Sequence, residues 1–443
     1  MASKTSPSGD GALWLIREDL RLHDNQPLLA ACTQTSHVLP LYIMSPSTCS
    51  IGENRLRFLF EALRDLHTSL CVLGSRVHIA YGDQFETLRS VWRGLGVKRI
   101  CLQRSCDPTL VRQEEELRKL ASLDGVVVQT YQGLELYDQR LLIKLCDHEV
   151  PIAFNSFLRL VDRAGEPPEP LAPPRALPPP PDLTPLAQAQ IYSGVPASFA
   201  AFRALLRGPT AVDNPHDSGR RHPGQADCAG PRNDSSAGGS ARRLIGGESE
   251  GLKRLAHQLQ NATWISKFSK PHTNPMVVPS EGIDGSTTLL SPYIAWGCLS
   301  PRFMHWKIRE VLQKLPPSVT PTGPPQSLLS QLLWRDFFHL VGSSTPYFER
   351  MQDNPLCLQV PWRSSAEMLH KWATGATGVP VVDAAMRQLR CTGWLHHILR
   401  HVVACFLTRG ALWCHWEDGR AVFEALLLDA DWAINNGATA LET

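Results

Sequence analysis

Two histidines and an arginine are the side chains best suited to acid–base chemistry in this chain. His397, Arg400 and His401 stand at i, i+3 and i+4, the spacing that places side chains on one face of a helix. Histidines can donate protons near neutral pH, where their charge is readily tuned. The pair could also bind a metal ion, but no Glu lies between the two histidines and no third ligand is evident. We therefore expect proton transfer and no metal site.

Two carboxylates follow at the end of an apolar run. Residues 426–428 are leucines, and Asp429 and Asp431 come after them. A carboxylate in apolar surroundings is costly unless a cation meets it, and Arg400 is the natural partner. An isolated Asp could simply cap a helix, but two acids after three leucines argue against that alternative.

A hydroxyl-rich loop lies upstream of these residues. It comprises Ser286, Thr287, Thr288, Leu289, Leu290 and Ser291, and Pro292 follows it. Backbone N–H groups at a helix start near Pro292, with flanking hydroxyls, could bind an anion such as a diphosphate. Ser and Thr before Pro are also ordinary helix caps, so these residues alone leave both interpretations open.

The composition limits what kind of protein can position these groups. A chain of 443 residues exceeds what one core usually organises, so we expect two domains. The formal charge of +2 neither demands nor excludes a polyanionic partner. No apolar run approaches the roughly 20 residues of a membrane-spanning helix, and the polar start resembles no signal peptide, so we expect a soluble, unsecreted protein. The 12 cysteines form no Cys-x-x-Cys pair, which predicts reduced intracellular thiols.

Short apolar runs alternate with amphipathic stretches in the first part of the chain. The expected strands are 13–16, 38–43, 77–80, 98–102 and 126–129, and the expected helices include 54–73 and 110–123. This alternation predicts an α/β domain with a parallel, Rossmann-like sheet covered by helices. Because Gly-x-Gly-x-x-Gly and Gly-x-x-x-x-Gly-Lys are both absent, we expect no dinucleotide or triphosphate site of the usual kind there.

The composition changes between positions 167 and 247, where Pro, Gly, Ser and Arg dominate. Such a segment cannot bury enough apolar surface to offset its ordering entropy, so we expect mostly a linker, with room for one helix near 196–206. Its basic cluster consists of Arg220, Arg221, Arg242 and Arg243. The cluster could contact a phosphate backbone, although a solvated linker is the simpler interpretation.

Helical periodicity dominates from position 248 onward. The expected helices are 251–261, 293–315, 327–341, 365–374, 381–409 and 419–428. This pattern predicts an all-α second domain. Most of its Trp residues would fill the core of such a domain.

The segment 377–437 resembles the flavin-binding part of the photolyase/cryptochrome family, specifically its (6-4) photolyase and animal-type cryptochrome branch. Further matches are Gln-Leu-Leu-Trp-Arg-Asp-Phe-Phe at 331–338, Asp-Ala-Asp-Trp-Ala-Ile-Asn at 429–435 and the opening run at 14–25. The resemblance covers roughly residues 12–165 and 246–437. Family members continue past Asn-x-Gly into a Trp-bearing helix, whereas this sequence ends at Thr443, so we expect a C-terminally truncated member.

The resemblance implies that the helical domain binds FAD. The residues that it implies for cofactor binding are Gln331, Arg335, His397, Arg400, Asp429, Ala430, Asp431 and Asn435, together with Ser286, Thr287, Thr288, Leu289, Leu290 and Ser291. In this set the hydroxyl-rich loop would hold the flavin diphosphate, and Arg400 would pair with Asp429. The Asp-Ala-Asp segment would bond the flavin ring, and Asn435 would face the flavin N5 atom. Without the resemblance, Arg335 would be interpreted as a surface charge of an amphipathic helix.

The resemblance also implies residues for catalysis and substrate binding. His397 and His401 would line the lesion pocket and supply the proton that helps convert a (6-4) photoproduct back to two bases, and Trp334 would lie at that pocket. Animal-type cryptochromes can carry the same two histidines, so their presence does not by itself imply repair.

Tryptophans in the family pass electrons to the flavin. Trp362 and Trp416 match the outer and middle members of that chain, while the inner member falls on Thr439. Electron tunnelling weakens steeply with distance, so we expect impaired photoreduction. The first domain could hold an antenna chromophore, whose identity the sequence leaves unknown.

We therefore predict a blue-light-dependent FAD flavoprotein. Its parts would be an α/β antenna-type domain at 1–135, a connecting segment at 136–247, an incomplete helical FAD-binding domain at 248–437 and a divergent tail at 438–443. As an enzyme it would be a (6-4) photolyase that repairs damaged DNA by electron transfer from reduced FAD. The alternatives are a cryptochrome photoreceptor or transcriptional regulator that acts through clock or signalling proteins, and an inactive truncated form. We expect a monomer in the nucleus or cytoplasm, without membrane contact.

Overall fold

The structure is a computed structural model, and it describes residues 10–44, 51–186, 191–206, 243–270, 272–275, 287–363 and 365–442. Among the residues singled out above, Ser286, Arg220, Arg221 and Arg242 lie outside these ranges. The side chains that follow Gly437, including that of Thr439, are likewise outside the description, although the backbone is described to residue 442.

A six-stranded sheet forms the centre of the first region of the described chain. Its strands are β1 (Gly11–Ile16), β2 (His37–Met44), β3 (His78–Tyr81), β4 (Val97–Gln103), β5 (Val127–Tyr131) and β6 (Ile191–Ser193). They lie in the order β5-β4-β1-β2-β3-β6, and every neighbouring pair is parallel except β3 with β6. All of β1 is buried, as expected for an apolar strand covered on both faces. The predicted α/β domain with a parallel sheet is confirmed.

Helices cover this sheet, and short polar side chains define where several of them begin. They are α1 (Gln26–Cys32), α2 (Glu53–Val72), α3 (Gln84–Leu95), α4 (Pro108–Leu123), α5 (Gln139–Leu145) and α6 (Phe154–Ala164). The side chains of Asn25, Asp83, Asp107 and Asp138 each accept a hydrogen bond from a backbone N–H of the first turn that follows. These caps satisfy amide donors that have no partner inside the helix.

The segment interpreted as a linker contains more secondary structure than its composition predicts. It supplies β6, which pairs antiparallel with β3, and α7 (Phe199–Leu206), close to the helix expected at 196–206. Part of its extended portion is anchored, because Val38 N donates to Pro179 O at 3.3 Å. Arg243 of the basic cluster forms an ion pair with Glu61 at 2.6 Å. The domain boundaries at 135 and 247 remain a prediction.

The second region is helical, as predicted. Its helices are α8 (Glu248–Leu259), α9 (Ala262–Lys267), α10 (Ser291–Ala295), α11 (Pro301–Gln313), α12 (Leu328–Ser344), α13 (Ala366–Thr374), α14 (Pro380–Thr392), α15 (His397–Cys405), α16 (Trp416–Leu426) and α17 (Trp432–Glu442). Within the described ranges, no helix is long and apolar enough to cross a lipid bilayer.

Two long helices expected from the sequence are wrong, because each is divided. The expected helix 381–409 breaks at Gly393, which has φ 73° and closes α14 in the left-handed conformation that favours glycine. His396 then caps α15 by accepting a hydrogen bond from Ile398 N. The expected helix 293–315 likewise divides into α10 and α11. Gly297 lies at this division, where an added Cβ would stand 1.8 Å from Glu18 O.

The helical region packs against the carboxyl-terminal edge of the sheet through buried polar contacts. Arg302 Nη2 lies 2.7 Å from Asp24 Oδ1, and both side chains are almost completely buried. Arg21 Nη1, in the loop after β1, donates to Gly297 O at 2.9 Å. These contacts fix the helical region against the loops that follow the parallel strands.

Candidate functional site

A cavity of about 550 Å³ lies in the helical region. This volume is within the range of roughly 300–1,000 Å³ that is typical of small-molecule sites. The predicted residues that line it are Thr287, Thr288, Leu289, Leu290, Ser291, Gln331, Trp334, Arg335, His397, Arg400, His401, Asp429, Asp431 and Asn435. The fold therefore brings together side chains from four separate parts of the sequence.

Three predicted residues lie outside this lining. Ala430 N donates to Leu427 O at 3.2 Å, so this amide is already used within the loop. Trp416 is 1% exposed and begins α16, and it does not line the cavity. The Trp362 ring lies 6.3 Å from the His415 ring, which lies 6.0 Å from the Trp416 ring. The two tryptophans are thus connected through one intervening aromatic side chain.

Arg400 and Asp429 form an ion pair at the cavity wall. Arg400 Nη2 lies 2.9 Å from Asp429 Oδ2, and Ser291 Oγ donates to the same oxygen at 2.6 Å. Arg400 Nε donates to Leu395 O at 2.8 Å, which orients the guanidinium. The Asp429 side chain is 6% exposed, and its Oδ1 has no hydrogen-bond partner among the described residues. The pairing expected from the sequence is present and leaves one buried acceptor for a ligand.

Asp431 is held by three donors. Arg335 Nη2 lies 3.0 Å from Asp431 Oδ2, and His339 Nε2 lies 2.9 Å from the same oxygen. Ile434 N donates to Oδ1 at 3.1 Å, so Asp431 also caps the start of α17. Burial alone would raise the pKa of Asp431, but His339 and Arg335 lower it well below its usual range. The carboxylate is therefore ionised, and both of its oxygens are engaged.

Arg335 and its neighbour Asp336 are not surface charges. Their exposed fractions are 7% and 1%. Asp336 accepts hydrogen bonds from Leu136 N and Tyr137 N, at the turn that follows β5. The alternative that these two residues are exposed surface charges therefore does not hold.

The two predicted proton donors differ in their surroundings. His401 is exposed, whereas His397 is partly buried and its ring lies 4.4 Å from that of His396. Burial, followed by the nearby cation of Lys270 and by His396, lowers the pKa of His397 to about 3. This low pKa keeps His397 neutral at neutral pH, and proton donation by the two histidines stays a prediction.

The hydroxyl-rich loop enters α10, which is only five residues long. A helix of one turn has only a small dipole with which to attract an anion. The loop would therefore bind an anion through its own N–H and hydroxyl groups. Leu289 has φ 54°, a conformation uncommon outside glycine, and Leu290 N lies 3.3 Å from Thr288 Oγ1. No side-chain hydrogen bond among the described residues caps the start of α10, so the ordinary capping interpretation does not hold, whereas the loop does line the cavity.

Trp334 lines the cavity with its ring fixed from behind. Its ring is stacked on Phe154 with centroids 3.6 Å apart and planes 4° apart. Trp334 Nε1 donates to Pro325 O at 3.2 Å. Gln331, one turn earlier on α12, donates from Nε2 to Ser327 O at 3.2 Å. Both side chains are therefore positioned by contacts within this structure.

Three charged or titratable residues at this site were missed by sequence reasoning. Lys270 and Arg420 line the cavity, and His339 contacts Asp431 from outside it. Lys270 follows α9 in a stretch that contains no motif. Arg420 lies on α16, and the apolar periodicity of that helix gives no sign that Arg420 lines a cavity. Only the tertiary structure shows that these residues meet at one place.

The cavity suits a ligand that combines an anionic part with hydrogen-bonding groups. Arg400 and Lys270 provide positive charge, and the loop from Thr287 to Ser291 provides hydroxyls and amides. Buried polar atoms at the cavity that lack hydrogen-bond partners among the described residues include Asp429 Oδ1, His397 Nε2 and Thr273 Oγ1. A flavin dinucleotide carries a diphosphate and a ring with both donors and acceptors, so the residues present fit FAD.

Comparisons with known proteins agree with this geometry. A family model described as the FAD binding domain of DNA photolyase matches residues 328–442, and one described as DNA photolyase matches residues 12–178. The (6-4) DNA photolyase of Arabidopsis thaliana is 36% identical over 442 residues, which cover 97% of this chain and 72% of that protein. Cryptochrome-1 of Rattus norvegicus is 34% identical over 434 residues, which cover 97% of this chain and 67% of that protein.

A solved structure shares the overall fold. The Synechocystis sp. PCC6803 cryptochrome superposes with a TM-score of 0.75 at 24% identity, covering 98% of this chain and 83% of the other. At that identity, the likeness concerns the fold alone. The match includes both the sheet region and the helical region.

Proposed function

The chain belongs to the photolyase/cryptochrome family of FAD-binding proteins, and from that premise we propose that it is a light-dependent (6-4) photolyase. The proposed substrate is DNA that contains a (6-4) pyrimidine photoproduct. The observation that supports this proposal best is that His397 and His401 line the same cavity as Asp429 and Asp431. A proton donor beside a flavin seat is what reversal of this lesion requires.

Each side of the cavity has a proposed task. Bound FAD would supply the absorption of light and the electron that starts repair. Arg400 and Ser291 orient Asp429, whose unpaired Oδ1 would accept a hydrogen bond from the ligand. Asp431, fixed by Arg335, would do the same at the neighbouring wall. The positive charge of Lys270 and the loop hydroxyls would hold the diphosphate.

The proton chemistry is divided between the two histidines in this proposal. His401 is the exposed member of the pair and would donate the proton to the lesion. His397, neutral because its pKa is lowered by burial and by Lys270, would instead orient the lesion through a hydrogen bond from its ring. The ring centroids lie 6.3 Å apart, so both can contact one substrate.

A cryptochrome is the second candidate, because the rat cryptochrome-1 is nearly as similar to this chain as the plant photolyase. In that case the partners would be clock or signalling proteins in place of damaged DNA. In either case we propose a monomer that acts in the nucleus or cytoplasm. An antenna chromophore in the first domain is part of the same proposal.

One experiment separates these candidates. The purified protein should show the yellow absorbance of a flavin, and a colourless preparation with normal helical content would contradict FAD retention. Blue light should restore an oligonucleotide that carries a (6-4) photoproduct when dithionite supplies the reducing electrons. A yellow protein that does not restore the oligonucleotide supports the cryptochrome and contradicts repair.

A further inference from the structure

His339 lies directly behind Asp431, on the side of the cavity wall that faces the sheet. It belongs to α12, its side chain is 1% exposed, and it does not line the cavity itself. Its Nε2 is 2.9 Å from Asp431 Oδ2 and 3.1 Å from Oδ1. One imidazole N–H thus spans both oxygens of a carboxylate whose other side forms part of the cavity.

The groups that face His339 come from several elements. They are Arg335 on α12, Asp431 before α17, Glu135 after β5, Cys106 after β4 and Glu18 after β1. His339 Nδ1 lies 3.5 Å from Glu135 Oε1 and 3.7 Å from Cys106 Sγ. Both ring nitrogens therefore have partners that accept hydrogen bonds, an arrangement that suits the doubly protonated ring.

The charges of this cluster balance when His339 is protonated. The Asp431 and Glu135 carboxylates then face the cations of Arg335 and His339. Burial opposes a charge on His339, but Asp431 raises its pKa well above the ordinary value. Burial raises the pKa of the Cys106 thiol, which therefore stays neutral, and it raises the pKa of Glu18 to about 7.

We propose that His339 is a positioning residue that fixes the charge and orientation of Asp431 and thereby controls how tightly the cavity retains flavin. This inference rests on the proposed flavin seat. Without the imidazole, Asp431 keeps Arg335 and the Ile434 amide but loses the donor that spans both oxygens. A buried carboxylate with one cation fewer is free to change rotamer or to take up a proton.

The first test compares FAD affinity in the wild type with that in His339→Gln and His339→Leu. Loss of a hydrogen bond to a charged group, worth about 1.5–3 kcal/mol, corresponds to roughly tenfold to hundredfold weaker binding, measured by flavin fluorescence. The matched control is His78→Gln, since His78 is 2% exposed on β3 and its Nδ1 lies 3.3 Å from Pro40 O, far from this cluster. Wild-type affinity in both His339 variants would overturn the inference.

The second test asks whether His339 acts through Asp431. In an Asp431→Asn background, His339→Gln should weaken FAD binding by less than about twofold, because the carboxylate that it orients is gone. A loss in this background as large as that in the wild-type background would overturn the inference. Such a result would mean that His339 influences the cavity by another route.

A third measurement uses the unaltered protein and therefore does not depend on whether a variant folds. The His339 ring, followed by NMR in the apoprotein, should remain protonated at pH 7, and FAD retention should weaken as pH rises through its pKa. A neutral His339 at pH 7 would overturn the inference. None of these tests measures repair, so a chain that binds FAD without repairing DNA contradicts only the photolyase proposal.

Discussion

Leu428 N donates a hydrogen bond to Gly393 O at 2.8 Å, which joins the break between α14 and α15 to the residue that precedes Asp429. An added Cβ on Gly393 would stand 2.7 Å from Leu428 Cγ. This close approach places the start of the histidine-bearing helix against the loop that carries the carboxylates. The contact between Gly393 and Leu428 thus positions both the helix that carries the histidines and the loop that carries the carboxylates.

Gly393→Ala should therefore destabilise the protein more than an equivalent change elsewhere. The left-handed conformation costs a residue with a Cβ about 1–2 kcal/mol, and crowding against Leu428 adds roughly 1–3 kcal/mol. Gly96→Ala is the matched control, because Gly96 also ends a helix, has φ 63° and has nothing within 4 Å of the added Cβ. Denaturant unfolding measures both, and equal free energies of unfolding would contradict the prediction.

Replacing Arg400 by Leu should release FAD and destabilise the fold. Removal of one partner of a buried ion pair costs roughly 3–5 kcal/mol, and we expect the lower end because the Arg400 side chain is 26% exposed. Lys371→Ala is the control: its pair with Glu367 is exposed and screened by solvent, so its loss should leave the stability almost unchanged. Flavin absorbance after gel filtration and the free energy of unfolding are the measurements. Retention of FAD by Arg400→Leu would exclude the proposed seat.

Stability should fall as pH rises from about 4.5 to about 7, in part because of Glu18. Burial, with Asp431 and Asp107 nearby, raises the pKa of Glu18 to about 7 in the folded state. The folded chain then binds a proton that the unfolded chain releases, so the stabilising contribution is complete at low pH and is lost through pH 7. Up to about 3 kcal/mol is involved, at about 1.4 kcal/mol per pH unit. Glu18→Gln should flatten this part of the curve of unfolding free energy against pH.

His401→Ala should abolish repair while leaving the flavin spectrum unchanged, because His401 is an exposed residue at the cavity. General acid catalysis typically contributes about 10²–10⁴-fold to a rate. His148→Ala, an exposed histidine in the first region, is the control and should repair at the wild-type rate. Repair of a (6-4) oligonucleotide under blue light measures both. A His401→Ala protein that repairs at the wild-type rate contradicts the proton-donor role.

The sheet could be predicted from the sequence because its strands are continuous apolar runs. β1 is entirely buried and most of β2 is buried, so their apolar composition alone indicates strands inside an α/β layer. The ion pair between Arg400 and Asp429 could also be predicted, since a carboxylate after three leucines requires a cation. The edge strand β6, which pairs with β3, could not be predicted. Its sequence lies in a Pro-rich segment that shows no alternation of apolar and polar residues.

The division of the two long helices could not be predicted from the sequence. Apolar periodicity continues across 381–409, and only the contact of Gly393 with Leu428 requires the chain to turn there. The lowered pKa of His397 could not be predicted either, because it depends on burial and on Lys270, which is distant in sequence.

By itself, then, the amino-acid sequence determined the layer architecture, the family and the residues that form most of the cavity wall. Apart from the pair of Arg400 with Asp429, only the tertiary structure decided which charges meet, as shown by His339, Glu135 and Asp431, which come from three separate elements. The physical reason is that hydrophobic periodicity is a local property of the chain. Which charged groups interact depends instead on distances that are set only when the helical region packs onto the sheet.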